Sequence, residues 1–184
     1  FVEGHIEVGT NKATLTLEDG TEIVLEDNPN YSDRNVTSNG TKIVYNEVEP
    51  KKVKESYNYL TIPRGGQYHL ILSDGTKVWL NSESQLRYPV VFVEGETRIV
   101  ELVYGEAYFE VSPSSRHKGS DFKVYNDTQE IKVLGTEFNV KAYKDETSIY
   151  TTLVEGKVAL SFNGKNQTLI PNQQLKFNKE TNSI

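Results

Sequence analysis

Two glutamates four residues apart, Glu106 and Glu110 in GEAYFEV, form the most suggestive pair in the chain for acid–base chemistry. On an extended strand they share a face, but four residues at roughly 3.3 Å each set them about 13 Å apart. Glycosidases hold their two carboxylates about 5 to 9.5 Å apart. The pair therefore reads as a solvated strand face with Tyr108 between its members, and Ala107, Phe109 and Val111 turn to the core. The three histidines, His5, His69 and His117, are isolated and lack ligand-like spacing. Ser114 and Ser115 lie in SPSSRHKGSD (112–121), which reads as a mobile surface turn whose Arg116, His117 and Lys118 could meet an acidic partner; no G-x-S-x-G elbow accompanies them. Arg64 precedes Gly65-Gly66 in a tight bend after Pro63. Without a following helix this is no phosphate loop, and Arg64 stays only a candidate contact residue. No catalytic residue, metal ligand set or cofactor is assigned, and the chain reads as a non-enzyme.

The elements that would carry any site are strands. Alternating β-branched and aromatic runs such as YHLILS, TKVWL, AYFEV, EFNVKAY and KVALSF recur every 8 to 12 residues or so. Asp19-Gly20, Asn39-Gly40, Asp74-Gly75, Glu94-Gly95, Glu155-Gly156 and Asn163-Gly164 mark turns between them. No sustained 3.6-residue apolar stripe appears, so little helix is expected. The stretch from Asp27 to Tyr59 is the least regular and reads as loop or edge structure, with Lys51, Lys52 and Lys54 on a solvated face. Gly105 and Gly135 read as bulge or close-approach positions within strands.

One stretch occurs nearly twice: LTLEDGTEIVLE at 15–26 and LILSDGTKVWLN at 70–81. A three-residue loop in the second copy pairs Leu72 with Thr76, Leu70 with Val78 and Tyr68 with Leu80, which puts the apolar residues on one face. The first copy pairs Leu17 with Thr21, Leu15 with Ile23 and Ala13 with Leu25 in the same way. A one-residue slip would reverse every side chain, so the pattern fixes the register. Gly20 and Gly75 then sit left-handed at a bulge after a type I turn. On the reverse face the second copy carries Ile71, Trp79 and, opposite Trp79, His69. Either other strands cover this face, or Trp79 is an exposed platform for a partner or a sugar. Trp79, His69 and Arg64 are the candidate ligand or partner residues.

Composition limits what such a chain does. At 184 residues it holds one well-buried core. A formal charge of -6 argues against a nucleic-acid surface, because duplex binding needs Lys and Arg against phosphates. The absence of cysteine excludes disulfides and thiolate chemistry. No run approaches the roughly 20 apolar residues that span a bilayer, and no signal peptide opens the chain. The start at Phe1 reads as a processed or excised piece of something longer.

The run IPRGGQYHLILSDGTKVWLNSESQLRYP (62–89), followed by VELVYGEAYFEV (100–111), VLGTEFNVKAY (133–143), LVEGKVAL (153–160) and LIPNQQLKF (169–177), resembles the FecR family in its Bacteroidetes form. Asn172 stands where many relatives have glycine, and asparagine tolerates the left-handed region. The resemblance implies the periplasmic portion of a transmembrane anti-sigma factor, here 1–184 as a single all-β unit, with 1–59 a less regular N-terminal segment and 60–178 the motif block. It implies transcription regulation by signal transduction. The partners implied are the N-terminal domain of an outer-membrane TonB-dependent transporter, met chiefly through a C-terminal domain beyond this stretch, and a sigma factor met through a cytoplasmic region. The tether is an inner-membrane span outside the chain, so this fragment itself meets neither nucleic acid nor membrane.

The reading is an all-β chain of consecutive antiparallel hairpins, forming a β-sandwich or a rolled, solenoid-like stack. Its core includes Leu15, Leu17, Leu70, Leu72, Val78, Leu80, Leu102, Phe109, Val111, Val133, Phe138, Val140, Val158 and Leu160. Its function is periplasmic signalling and scaffolding. A carbohydrate-binding β-sandwich is the alternative, and a hydrolase would need convergent titratable groups that no motif supplies.

Overall fold

The second Asp-Gly stretch folds as its alternation dictates. Gly66–Ile71 and Lys77–Leu80 pair antiparallel with Tyr68 opposite Leu80, His69 opposite Trp79 and Leu70 opposite Val78. Leu72 N–H donates to Thr76 O at 2.9 Å, closing the three-residue loop, and Gly75 holds φ +80°. In the first copy Leu15 faces Ile23, Leu17 N–H donates to Thr21 O, and Leu25 N–H donates to Ala13 O. The computed structural model describes residues 9–33, 36–46 and 56–184; His5 and Lys51, Lys52 and Lys54 lie outside them.

These hairpins belong to two facing sheets joined through one strand. In the first sheet the order runs Glu22–Val24, Thr14–Thr16, Tyr57–Ile62, Ser84–Pro89, the N-terminal half of Arg98–Glu110, Phe122–Tyr125, Glu130–Val133, Val158–Phe162 and Lys165–Leu169. In the second it runs Ser32–Asp33, Val36–Ser38, Lys42–Tyr45, Gly66–Ile71, Lys77–Leu80, the C-terminal half of Arg98–Glu110, Glu137–Ala142, Ser148–Glu155 and Gln174–Asn178. From Tyr57 onward the chain visits the sheets alternately, mostly two strands at a time, so it is rolled as well as layered. The short strands between Ser32 and Tyr45 form one edge of the second sheet, in line with the irregular composition there.

Arg98–Glu110 runs for 13 residues, and its burial parity changes midway. Positions 98, 100 and 102 are buried, then 105, 107 and 109. Side chains alternate with period two, so this one-residue slip marks where the strand leaves one sheet for the other. The switch is at Gly105, with φ +95°, where an added Cβ would collide with the backbone and side chain of Ser84. Gly105 is thus the close-approach position expected. Gly135 is also a close-approach position, where an added Cβ would meet the Pro113 backbone, but it lies in the turn between Glu130–Val133 and Glu137–Ala142, where the chain crosses between sheets, and not within a strand.

One apolar cluster fills the space between the sheets. Phe109 and Phe122, on opposite sheets, lie 6.5 Å apart by ring centroid, and Phe162 and Phe177 lie 5.4 Å apart. Each fully buried leucine or phenylalanine contributes about 1.5–3 kcal/mol. Every expected core residue is buried except Leu17, which packs against the cluster half-covered. Not every neighbouring pair is a hairpin: Arg98–Glu110 with Phe122–Tyr125, Lys42–Tyr45 with Gly66–Ile71, and Thr10–Asn11 with Gly66–Ile71 run parallel. Among the described residues the helical content is a single 3₁₀ turn, Ser114–Arg116, and no helix is long and apolar enough to cross a membrane.

Candidate functional site

The outer face of the second sheet carries the most developed surface feature. Cross-strand register aligns Lys42, His69, Trp79, Tyr108, Asn139 and Thr152 in one row across six strands. Alternation puts these side chains outward because their neighbours, Leu70, Val78, Phe109 and Val140, are buried. Among the described residues no further strand covers the row. Trp79 is 38% exposed, so its part of this face is open to solvent.

Contacts hold the row in place. The Trp79 ring stacks on His69 at 4.5 Å with an interplanar angle of 4°, and Tyr108 meets it at 5.7 Å and 63°. Tyr108 Oη donates to Glu137 Oε2 at 2.8 Å. Partial burial, helped by that bond to Glu137 and by the carboxylates around it, pushes its hydroxyl up to about 12. His69 is held below the ordinary imidazole value, first by burial and then by the charges of Lys42 and Lys77, with Glu110 acting the other way. Its Nε2 is buried without a partner.

Beside this row lies an open cleft of about 360 Å³, lined by residues that include Gln67, His69, Trp79, Asn81, Glu106 and Asn139. Glu106 is fixed by two amides: Asn139 Nδ2 donates to Oε1 at 2.8 Å and Asn81 Nδ2 donates to Oε2 at 3.2 Å. Glu110 instead pairs with Lys77 at 2.7 Å. The two carboxylates thus flank Tyr108 on the outer face with Ala107 and Phe109 buried, as the alternation requires. Among the described residues no group of three or more His, Asp or Glu is arranged to hold a metal.

Arg64 lies in the bend between Tyr57–Ile62 and Gly66–Ile71, where Gly66 N–H donates to Pro63 O at 3.0 Å. It is exposed and does not line the cleft, so the structure brings together Trp79 and His69 but not Arg64. Sequence reasoning did not single out Asn81 and Asn139; their register opposite or beside Tyr108 and Glu106 follows only once three strands are paired. Segment 112–121 is a surface turn, as expected. It is pinned, with His117 Nε2 2.8 Å from Ser112 Oγ, and with the carbonyls of Ser112 and Ser120 accepting from Arg98.

Residues 58–159 match the FecR protein family, and this chain belongs to it. Among solved structures it is similar to two of a candidate anti-sigma factor from Parabacteroides distasonis ATCC 8503. The first, at 2.50 Å resolution, gives 34% identity and a TM-score of 0.64 over 70% of this chain and 57% of that one. The second, at 1.65 Å, gives 34% identity and a TM-score of 0.62 over 68% and 57%. This chain therefore spans little more than half of those proteins. No curated protein sequence matches it.

Proposed function

We propose that this chain is the periplasmic signalling and scaffold module of a FecR-like anti-sigma factor, relaying the state of a TonB-dependent outer-membrane transporter to a cytoplasmic sigma factor. The observation that carries this reading is the joint match of residues 58–159 to the family and of 70% of the chain to a candidate anti-sigma factor. In this reading the module does no chemistry of its own. It stands in the periplasm, tethered through an inner-membrane span outside this stretch, and its sigma-factor contact also lies outside it.

The fold supplies a physical means of relay. The second sheet ends in Ser32–Asp33 on one side and Gln174–Asn178 on the other, and the first ends in Glu22–Val24 and Lys165–Leu169. Such edges carry main-chain donors and acceptors that a partner strand can use. Lys165–Leu169 is exposed at its first four residues, whose charged, amide and hydroxyl side chains discourage indiscriminate pairing. The test is a pull-down of candidate transporter N-terminal domains by the complete protein and by a form lacking residues 60–184. Capture that is lost or weakened on deletion supports the reading. Undiminished capture would place recognition elsewhere and remove this module from the docking step.

A further inference from the structure

The cleft beside Trp79 has a lining that signalling alone does not explain. Among the described residues its lining is amides, hydroxyls, aromatic rings and Leu80, with one carboxylate, Glu106, and no Lys or Arg. Glu106 accepts only from the neutral donors Asn81 and Asn139, and among the described residues no cation lies within ion-pair distance of it. A carboxylate has about four acceptor positions, so roughly two remain for a ligand.

We infer that this cleft is a binding site for a small neutral saccharide of one or two rings. Sugar hydroxyls donate and accept together, which suits a carboxylate flanked by amides, whereas a phosphorylated or anionic ligand would meet the Glu106 carboxylate in the lining, with Lys42, Lys77 and Lys141 near the cleft but not lining it. A volume of about 360 Å³ lies near the lower end of the range for small-molecule sites. His69 already covers one face of the indole and Tyr108 meets the ring at 63°, so Trp79 is not a free stacking platform. Its exposed remainder supplies apolar contact for ring C–H groups, and specificity comes from the hydrogen bonds. A basic side chain from a partner protein could also meet Glu106, but it would leave the amides of Asn81, Asn139 and Gln67 without purpose. The inference is independent of the signalling proposal, and either can fail alone.

Trp79 is the sole tryptophan of the chain, so its emission reports on the cleft directly. The experiment is titration of the full chain with a panel of neutral hexoses, N-acetylhexosamines and their disaccharides, and in parallel with a lysine- and arginine-rich peptide. At least one saccharide should give a saturable change in emission with millimolar-range or tighter affinity, and Glu106→Gln should weaken it about tenfold or more, equivalent to about 1.4 kcal/mol. Asn139→Ala should weaken it as well, by calorimetric titration, with an unchanged far-ultraviolet spectrum for both variants. No saturable change with any saccharide, equal binding by folded Glu106→Gln and wild-type protein, or a response to the basic peptide alone would each overturn the assignment.

Discussion

Arg98 Nη1 donates to Asp74 Oδ2 at 2.7 Å, and both side chains are 2% exposed. Asp74 belongs to the Asp-Gly loop of the second sheet and Arg98 to the first-sheet half of the shared strand, so this ion pair bolts the two sheets together. Its other bonds extend the joint: Arg98 Nη1 donates to Ser112 O at 2.9 Å, Arg98 Nη2 to Ser120 O at 3.1 Å, and Thr76 Oγ1 to Asp74 Oδ2 at 2.7 Å. The backbone turn bond, Thr76 N–H to Asp74 Oδ1 at 2.9 Å, recurs in the first copy from Thr21 N–H to Asp19 Oδ1 at 2.9 Å, where among the described residues no arginine joins it.

Removing one member of a buried ion pair leaves the other charge unpaired, which costs about 3–5 kcal/mol. Arg98→Met should therefore destabilise strongly, and so should Asp74→Asn to a lesser degree, since asparagine keeps an acceptor. The double variant should lose less than the sum of the two, as expected for groups in one network. Urea denaturation measures all three, and strictly additive losses would contradict the coupling. Asp19→Asn, at the exposed turn, should change stability little.

Glycine is needed for different reasons at two places. At Gly75 nothing lies within 4 Å of an added Cβ, so Gly75→Ala should cost only the left-handed backbone penalty of about 1–2 kcal/mol. At Gly105 the backbone conformation and Ser84 both oppose a side chain, and Gly105→Ala should cost clearly more. Comparison of the two urea midpoints decides it. Equal losses would mean that the sheet switch tolerates displacement of Ser84.

His69 has its folded pKa lowered from 6.5 by burial and by Lys42 and Lys77. A depressed histidine binds its proton more readily when unfolded, so its contribution to stability is complete above 6.5 and declines as pH falls toward the folded value. Protonated imidazole quenches a stacked indole. Trp79 emission should fall on acidification with a midpoint below 6.5, and the step should vanish in His69→Gln. A midpoint above 6.5 would contradict the geometry.

Tyr88 Oη, fully buried, is hydrogen-bonded to Tyr45 Oη at 3.1 Å, and Tyr45 Oη also accepts from Asn58 Nδ2 at 2.6 Å. Burial pushes Tyr45 up to about 12 and Tyr88 well above 10. Their pKa values are higher folded than unfolded, so stability is complete below 10 and is lost as pH rises beyond it. Tyr88→Phe should cost about 1 kcal/mol at neutral pH and make the alkaline loss shallower in denaturation experiments. An unchanged alkaline slope would contradict the assignment.

Much of this was legible because β alternation is local. Leu70, Val78 and Leu80 reveal their face within one hairpin, and so does the pairing of His69 with Trp79. What was illegible depends on partners far along the chain. Arg98 opens RIVELV like a surface residue, and only the parity shared with Val100 and Leu102 hints that it points inward. The break in that parity at Val103 and Tyr104 is the trace of the sheet switch, but it has meaning only when both sheets are known. Asn81 and Asn139 join Glu106 across strands separated by dozens of residues. The alternatives for Trp79 could not be resolved locally either, since whether a face is covered depends on where the remaining strands go.

The most direct measurement of the proposed role is transcription from a promoter dependent on the cognate sigma factor. It would be followed in cells carrying either the complete protein or a form with residues 58–159 deleted, with and without the transporter's substrate. The account predicts that the deletion disconnects transcription from substrate while the protein remains present in the membrane. Induction of normal size and timing in the deleted strain would show that the two-sheet module takes no part in the signal.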